Sequence, residues 1–111
     1  MANQIIYSKI FIRKAKELKK RHHSLVSDLE ELETSLLENP TQGSDLGAGL
    51  HKVRLAVKSK GKGKSGGYRV ITYLVSQTDA HVNINMLTIY DKKDESSIDK
   101  SYLIGLIKEL F

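Results

Sequence analysis

The sequence predicts an α+β domain in which an N-terminal helix pair packs on an antiparallel β-meander and a C-terminal helix closes the chain. Three observations carry that prediction. Apolar residues recur at helical spacing in two early segments and one late one, they alternate or run on in three central segments, and the two kinds of segment are segregated along the chain. At 111 residues the chain suits one domain, residues 1–111, with one core.

The brief apolar run from Gln4 to Tyr7 reads as a short first strand or as the lead-in to a helix, and the residues do not choose. From Ser8 to about Arg21, Phe11, Ala15 and Leu18 fall at i, i+4 and i+7, with lysines and arginine between them, which predicts an amphipathic helix. A second helix is expected from about Ser24 to Glu38, on a stripe of Leu25, Leu29, Leu32 and Leu36, with Ser27 and Glu30 as a capping-box pair. Asn39-Pro40 ends it, since proline removes a donor and disfavours helix in the residue before it. The first helix is basic and the second acidic. An exposed ion pair between them is worth well under about 1 kcal/mol, so the leucine stripe has to hold the pair together.

Thr41 to Gly49 contains three glycines and no apolar period and is expected to be a loop. A strand from His51 to Lys58 follows, with His51, Val53, Leu55 and Val57 on one face and Lys52, Arg54, Ala56 and Lys58 on the other. Tyr68 to Ser76 is apolar on both faces apart from Arg69 and Thr72, as a central strand should be. After a turn at 77–80, His81 to Tyr90 alternates, with Val82, Ile84, Met86 and Thr88 on one face and His81, Asn83, Asn85 and Leu87 on the other. This predicts a meander covered on one side. A last helix is expected from about Ser97 to Leu110 on Leu103, Leu106, Ile107 and Leu110.

Composition narrows the class of function. With 40% apolar and 28% charged residues the chain is globular, and without cysteine it has no disulfide, thiolate nucleophile or thiolate metal site. The N-terminus lacks a signal-peptide pattern and no apolar run approaches a membrane span, so the expectation is a cytoplasmic protein without a membrane partner. The net charge of +5 favours an acidic partner, and its placement is uneven. His51 to Arg69 holds seven of the eighteen Lys and Arg residues and no acidic residue: Lys52, Arg54, Lys58, Lys60, Lys62, Lys64 and Arg69. A hairpin with one cationic face and a lysine-glycine tip suits a phosphate backbone.

Two motif matches in that tip fail on context. Residues 61–66 spell G-x-G-x-x-G, but a strand follows where a dinucleotide site needs a helix. Gly63-Lys64-Ser65 resembles the end of a P-loop, yet Lys58 stands where its first glycine belongs. His22, His23, His51 and His81 make no metal-ligand spacing, and neither metal nor cofactor is expected. Lys52, Arg54 and Arg69 are the remaining candidates, as a phosphate-gripping set or simply as a solvated cationic face. Tyr90 and Lys92 add a phenol and an ammonium at the exit of the last strand.

The strand HKVRL, the segment SGGYRVITYLV, and a further strand ending TIYDKKD, between two leading helices and a terminal one, resemble the RelE/ParE superfamily of toxins from type II toxin–antitoxin modules. The flavour is HigB-like, through GKSGGYRVI followed by Y-x-K-x-[DE]. The resemblance implies a metal-independent mRNA endoribonuclease acting on the ribosome and inhibiting translation. It also implies an antitoxin partner, expected to be a helix-turn-helix repressor, with operator DNA reached only through the antitoxin complex. Lys52, Arg54 and Arg69 match the family's strand cations, and Lys92 best matches its cation after the last strand.

In the implied reaction the mRNA's own 2′-hydroxyl attacks the adjacent phosphate, and fixed cations stabilise the dianionic phosphorane. Arg69 is then expected to be the principal stabiliser. Arg54 and Lys52 would clamp the phosphate or move a proton, and Lys92 would add a further cation. Lys58, Lys60, Lys62, Lys64 and Tyr90 are expected to touch RNA. The chain departs from RelE-like members where they place a tyrosine in the C-terminal helix, near Ile98 here; Tyr90 or Tyr102 substitutes, a lysine moves the proton, or the activity is altered. Two other readings stand beside this one. They are a ParE-like inhibitor of DNA gyrase, and a noncatalytic basic nucleic-acid-binding module.

Overall fold

The computed structural model describes residues 3–61, 63, 66–78, 80–94 and 98–111. Among them the order is β1 (Gln4–Tyr7), α1 (Lys9–Arg21), α2 (Leu25–Glu38), β2 (Ser44–Gly47), β3 (Leu50–Leu55), a 3₁₀ turn (Lys58–Lys60), β4 (Tyr68–Thr78), β5 (His81–Asp91) and α3 (Lys100–Leu110). The α+β class is as predicted. The sheet has five strands in the order β1-β5-β4-β3-β2, with β1 parallel to β5 and every other pair antiparallel. The 41–49 segment, expected as a loop, thus supplies an edge strand. Its signal is weak because glycines and a register irregularity between Asp45 and Gly47 break any alternation.

Local chemistry sets the helix ends. Ser8 caps α1 by accepting from Phe11 N at 2.9 Å, and Asp99 caps α3 by accepting from Ser101 N at 3.1 Å. The capping box expected at Ser27 does not form, because α2 starts earlier and the Ser27 hydroxyl donates back to Ser24 O. Ser24 instead donates to Asp28 Oδ2 at 2.7 Å.

Both faces of the sheet are covered, where the sequence predicted one. The α1–α2 hairpin seats Phe11, Leu18, Leu25, Leu32 and Leu36 on Val53, Leu55, Tyr68, Val70, Ile84, Met86 and Ile89. On the other side α3 lays Leu103 and Leu106 over Leu50, Ile71, Leu87 and Tyr90. Central β4 is apolar on both faces for this reason.

A bulge in β5 decides which side chains meet. Ile71 pairs with Thr88 but Thr72 pairs with Met86, leaving Leu87 as the extra residue. Thr88 therefore lies on the α3 face opposite Ile71, and Ile89 takes the place expected of Thr88 beside Ile84 and Met86. Beyond the bulge Tyr90 turns to the α3 face and Asp91 to the helix-pair face, the reverse of uninterrupted alternation.

Gly67, in the SGG segment, is forced by contact. A Cβ there would lie 2.1 Å from Leu55 O and 3.1 Å from Gly63 O, both backbone atoms. Gly67→Ala is expected to cost about 2–3 kcal/mol, the scale of overpacking, and to lower the thermal midpoint by roughly 10 °C in a calorimetric scan. An unshifted midpoint would mean that the β3–β4 approach is looser than described.

Candidate nucleic-acid interface

The register of the sheet assembles the predicted cations. Arg54 stands opposite Arg69, and Arg69 opposite Tyr90, so the three form a row across β3, β4 and β5 on the α3 face. Lys52, two residues back on β3, shares that face. Burial grades the set: Arg54 is exposed and Lys52 partly so, while Arg69 is 6% and Tyr90 3% exposed. Arg69 was expected as the principal stabiliser of the charge on phosphorus, a role that suits an outward guanidinium. Instead its guanidinium lies beneath the surface, where Nη1 donates to Tyr68 O at 3.2 Å.

Lys52 and Arg54 are accordingly the cations of this face that solvent reaches, with Arg69 beneath them. Tyr90 is core, packed with Leu103 and Leu106, and offers no open ring face for a base to stack on.

Lys58–Lys60, at the start of the lysine-glycine segment, is less free than its composition implies. Lys58 pairs with Glu31 of α2 at 2.8 Å. Ser59 N donates to Ser24 Oγ at 2.9 Å and Lys58 N to Asp28 Oδ2 at 3.2 Å, so the turn is tied to the start of α2. Lys60, expected to touch RNA, bends inward and ion-pairs with Asp91, both side chains being buried. Burial in low dielectric requires that pairing, and it removes Lys60 from the surface. Lys62 and Lys64 lie outside the described residues.

Lys92 does not join the Arg54 row. It lines an open cleft of about 670 Å³ together with Arg21, His22, Lys60, Gly66, Asp91 and Lys93. Sequence reasoning missed this cluster, because Arg21 and His22 end α1 while Asp91 comes some seventy residues later. The chemistry of the cleft is organised by Asp91. Its burial would raise the carboxyl pKa, but the Lys60 hydrogen bond and charge, with the Lys93 backbone N–H at 3.0 Å, outweigh burial and hold it below the ordinary value. Above it, His22 Nδ1 and the Tyr68 hydroxyl are 2.5 Å apart. Burial, then the negative charge of Asp91, pushes the Tyr68 phenol up to about 12. Tyr68 thus keeps its proton and can donate it to His22 Nδ1. Lys60 Nζ also lies 5.4 Å from the centre of the Tyr68 ring.

His51 and His81 are structural in placement, and His23 is exposed. His51 is buried opposite Thr72, on the face away from Lys52 and Arg54, and His81 bonds Asn83 at 3.0 Å. Among the described residues no group of three or more His, Asp or Glu is placed to hold a metal ion, and no helix is long and apolar enough to cross a membrane.

Comparison with known proteins accords with this architecture. The structure of the Escherichia coli toxin RelE, in a doubly arginine-substituted form in the free state, matches with a TM-score of 0.60 at 13% identity over 100% of each chain, which is a likeness of fold. The family model described as the RelE toxin of the RelE/RelB toxin–antitoxin system matches residues 3–108. Nearly the whole chain is thus accounted for, and it belongs to the RelE family of toxins of toxin–antitoxin systems.

Proposed function

We propose that this toxin is a ribosome-dependent, metal-independent mRNA endoribonuclease of HigB-like type, which stops translation in the cytoplasm. The observation that carries the reading is the opposition of Arg54 and Arg69 on paired strands, with Lys52 on the same face. Arg54 is exposed and stands directly across from the buried Arg69, so two guanidinium-bearing residues share one position of the sheet. They are well suited to the two negative charges of a pentavalent phosphorane.

Lys52 and Arg54 grip the scissile phosphate from the solvent side. Arg69 adds positive potential from below, and the 2′-hydroxyl of the mRNA displaces the 5′-oxygen of the next nucleotide. Lys52 is the exposed group beside Arg54 that can pass a proton. Lys92 lies in the adjacent cleft and acts on the strand, away from the reacting phosphorus. The partner that silences the toxin is an antitoxin of helix-turn-helix repressor type, through which alone operator DNA is met.

Primer extension on mRNA from a reconstituted translation reaction tests this. Cleavage at discrete positions, only when ribosomes translate, with 2′,3′-cyclic phosphate ends, is expected. Intact mRNA over the same interval would overturn the nuclease reading. The burial of Arg69 and Tyr90 favours one second reading, a toxin that binds nucleic acid without cutting it. Retention on ribosomes with unbroken mRNA would select it.

A further inference from the structure

We propose that the cleft between the end of α1 and the end of β5 is a second phosphate site, which holds a backbone phosphate of single-stranded RNA on the side of the sheet away from Arg54. The inference rests on the functional reading above for the choice of RNA as ligand. It does not rest on cleavage.

The charges of the cleft can be followed one by one. Arg21 is paired with Asp94 at 2.7 Å, and Lys60 with Asp91. Those two pairs cancel, and among the described residues Lys92 and Lys93 remain as exposed lysines with no ion-pair partner. The one carboxylate that lines the cleft is compensated by Lys60 and by the Lys93 N–H, so it repels an incoming anion only weakly. His22 adds a directed donor. With Nδ1 engaged at 2.5 Å by the Tyr68 hydroxyl, Nε2 is the ring nitrogen left to a ligand, and it carries an N–H in the tautomer in which Tyr68 donates.

An anion entering the cleft thus meets two ammonium groups and an imidazole N–H, supported by the paired guanidinium of Arg21 at the rim. The cleft is open and far larger than a phosphate ion. A passing polynucleotide fits that shape better than an enclosed free ion does. Its position also suits one strand serving both sites. Tyr90 belongs to the Arg54 row and Asp91 to the cleft, so the two sites adjoin at the end of β5.

The test uses the full chain, a fluorescent oligoribonucleotide without ribosomes, and anisotropy across a salt series. Lys93→Gln and His22→Asn are expected each to weaken binding about tenfold, the worth of one charge-assisted hydrogen bond. Lys93→Gln should also make the slope of log affinity against log salt shallower by about 0.7. His22→Asn keeps an acceptor for Tyr68 and removes only the Nε2 donor, and circular dichroism checks that both variants stay folded. Inorganic phosphate should compete only at concentrations far above the oligonucleotide. Unchanged affinity and slope in both variants would overturn the site, and inorganic phosphate binding as tightly as the oligonucleotide would overturn the polynucleotide assignment. A protein that binds RNA here but leaves translated mRNA intact fails the nuclease reading and keeps this one.

Discussion

Arg54→Ala is expected to slow mRNA cleavage on translating ribosomes by about 10²–10³-fold, while changing the unfolding free energy by less than about 0.5 kcal/mol. The loss follows from removing one exposed donor aimed at the charge that develops on phosphorus. The small change in stability follows from position: Arg54 is exposed, so alanine opens no cavity there. Single-turnover cleavage rates and urea unfolding of the same preparations give both numbers. A variant that is slower and also less stable would show that Arg54 holds the sheet together. One as fast as the parent would remove it from the reaction.

Arg69 needs a gentler substitution because it is buried. Arg69→Lys keeps the charge and loses the planar fork, so it should lower the rate while the fold survives.

The second large effect concerns stability. Lys60→Ala is expected to cost about 3 kcal/mol, because it leaves the Asp91 carboxylate buried without its counter-ion. Asp91 Oδ2 already has no hydrogen-bond partner among the described residues, so little else can compensate. Replacing both partners by apolar residues, Lys60→Met with Asp91→Leu, should recover most of that loss. Parallel thermal scans of the parent, both single variants and the pair measure the coupling. A strictly additive double variant would show that the two side chains do not depend on one another.

The pH dependence of this pair has a definite sign. Burial alone would raise the Asp91 pKa, but Lys60 and the Lys93 N–H bring it below its ordinary value of 3.8. A carboxyl with a depressed folded pKa contributes stability above its unfolded pKa and loses it as the pH falls through the folded one. The parent should therefore weaken progressively below about pH 4, and Asp91→Asn should flatten that fall. In Lys60→Ala the carboxyl keeps the burial without the cation. Its penalty should shrink as the solution is acidified and Asp91 takes up a proton.

Much of the molecule was readable in advance, for reasons that differ from element to element. The leucine stripe of α2 and the doubly apolar run of β4 were legible because burial on one stripe or on both faces writes a period directly into the residues. The cations of β3 were legible because a strand with a dry face must send its other residues outward. β2 was not, since four residues among glycines carry no period. The fate of Lys60 was not either, because a lysine that will meet a buried carboxylate looks like any other in a lysine-glycine run.

By itself, then, the sequence determined the α+β class, the order of its main elements, and the sharing of one face by Lys52 and Arg54. These depend on spacings of two to four residues. Tertiary structure alone decided that Arg69 lies beneath Arg54 in the row, that Tyr90 is core, and that Lys60, Asp91, Tyr68 and His22 converge on a second cleft. Each of those outcomes turns on the register between strands and on a single bulge at Leu87, and register is set by packing between segments distant in the chain.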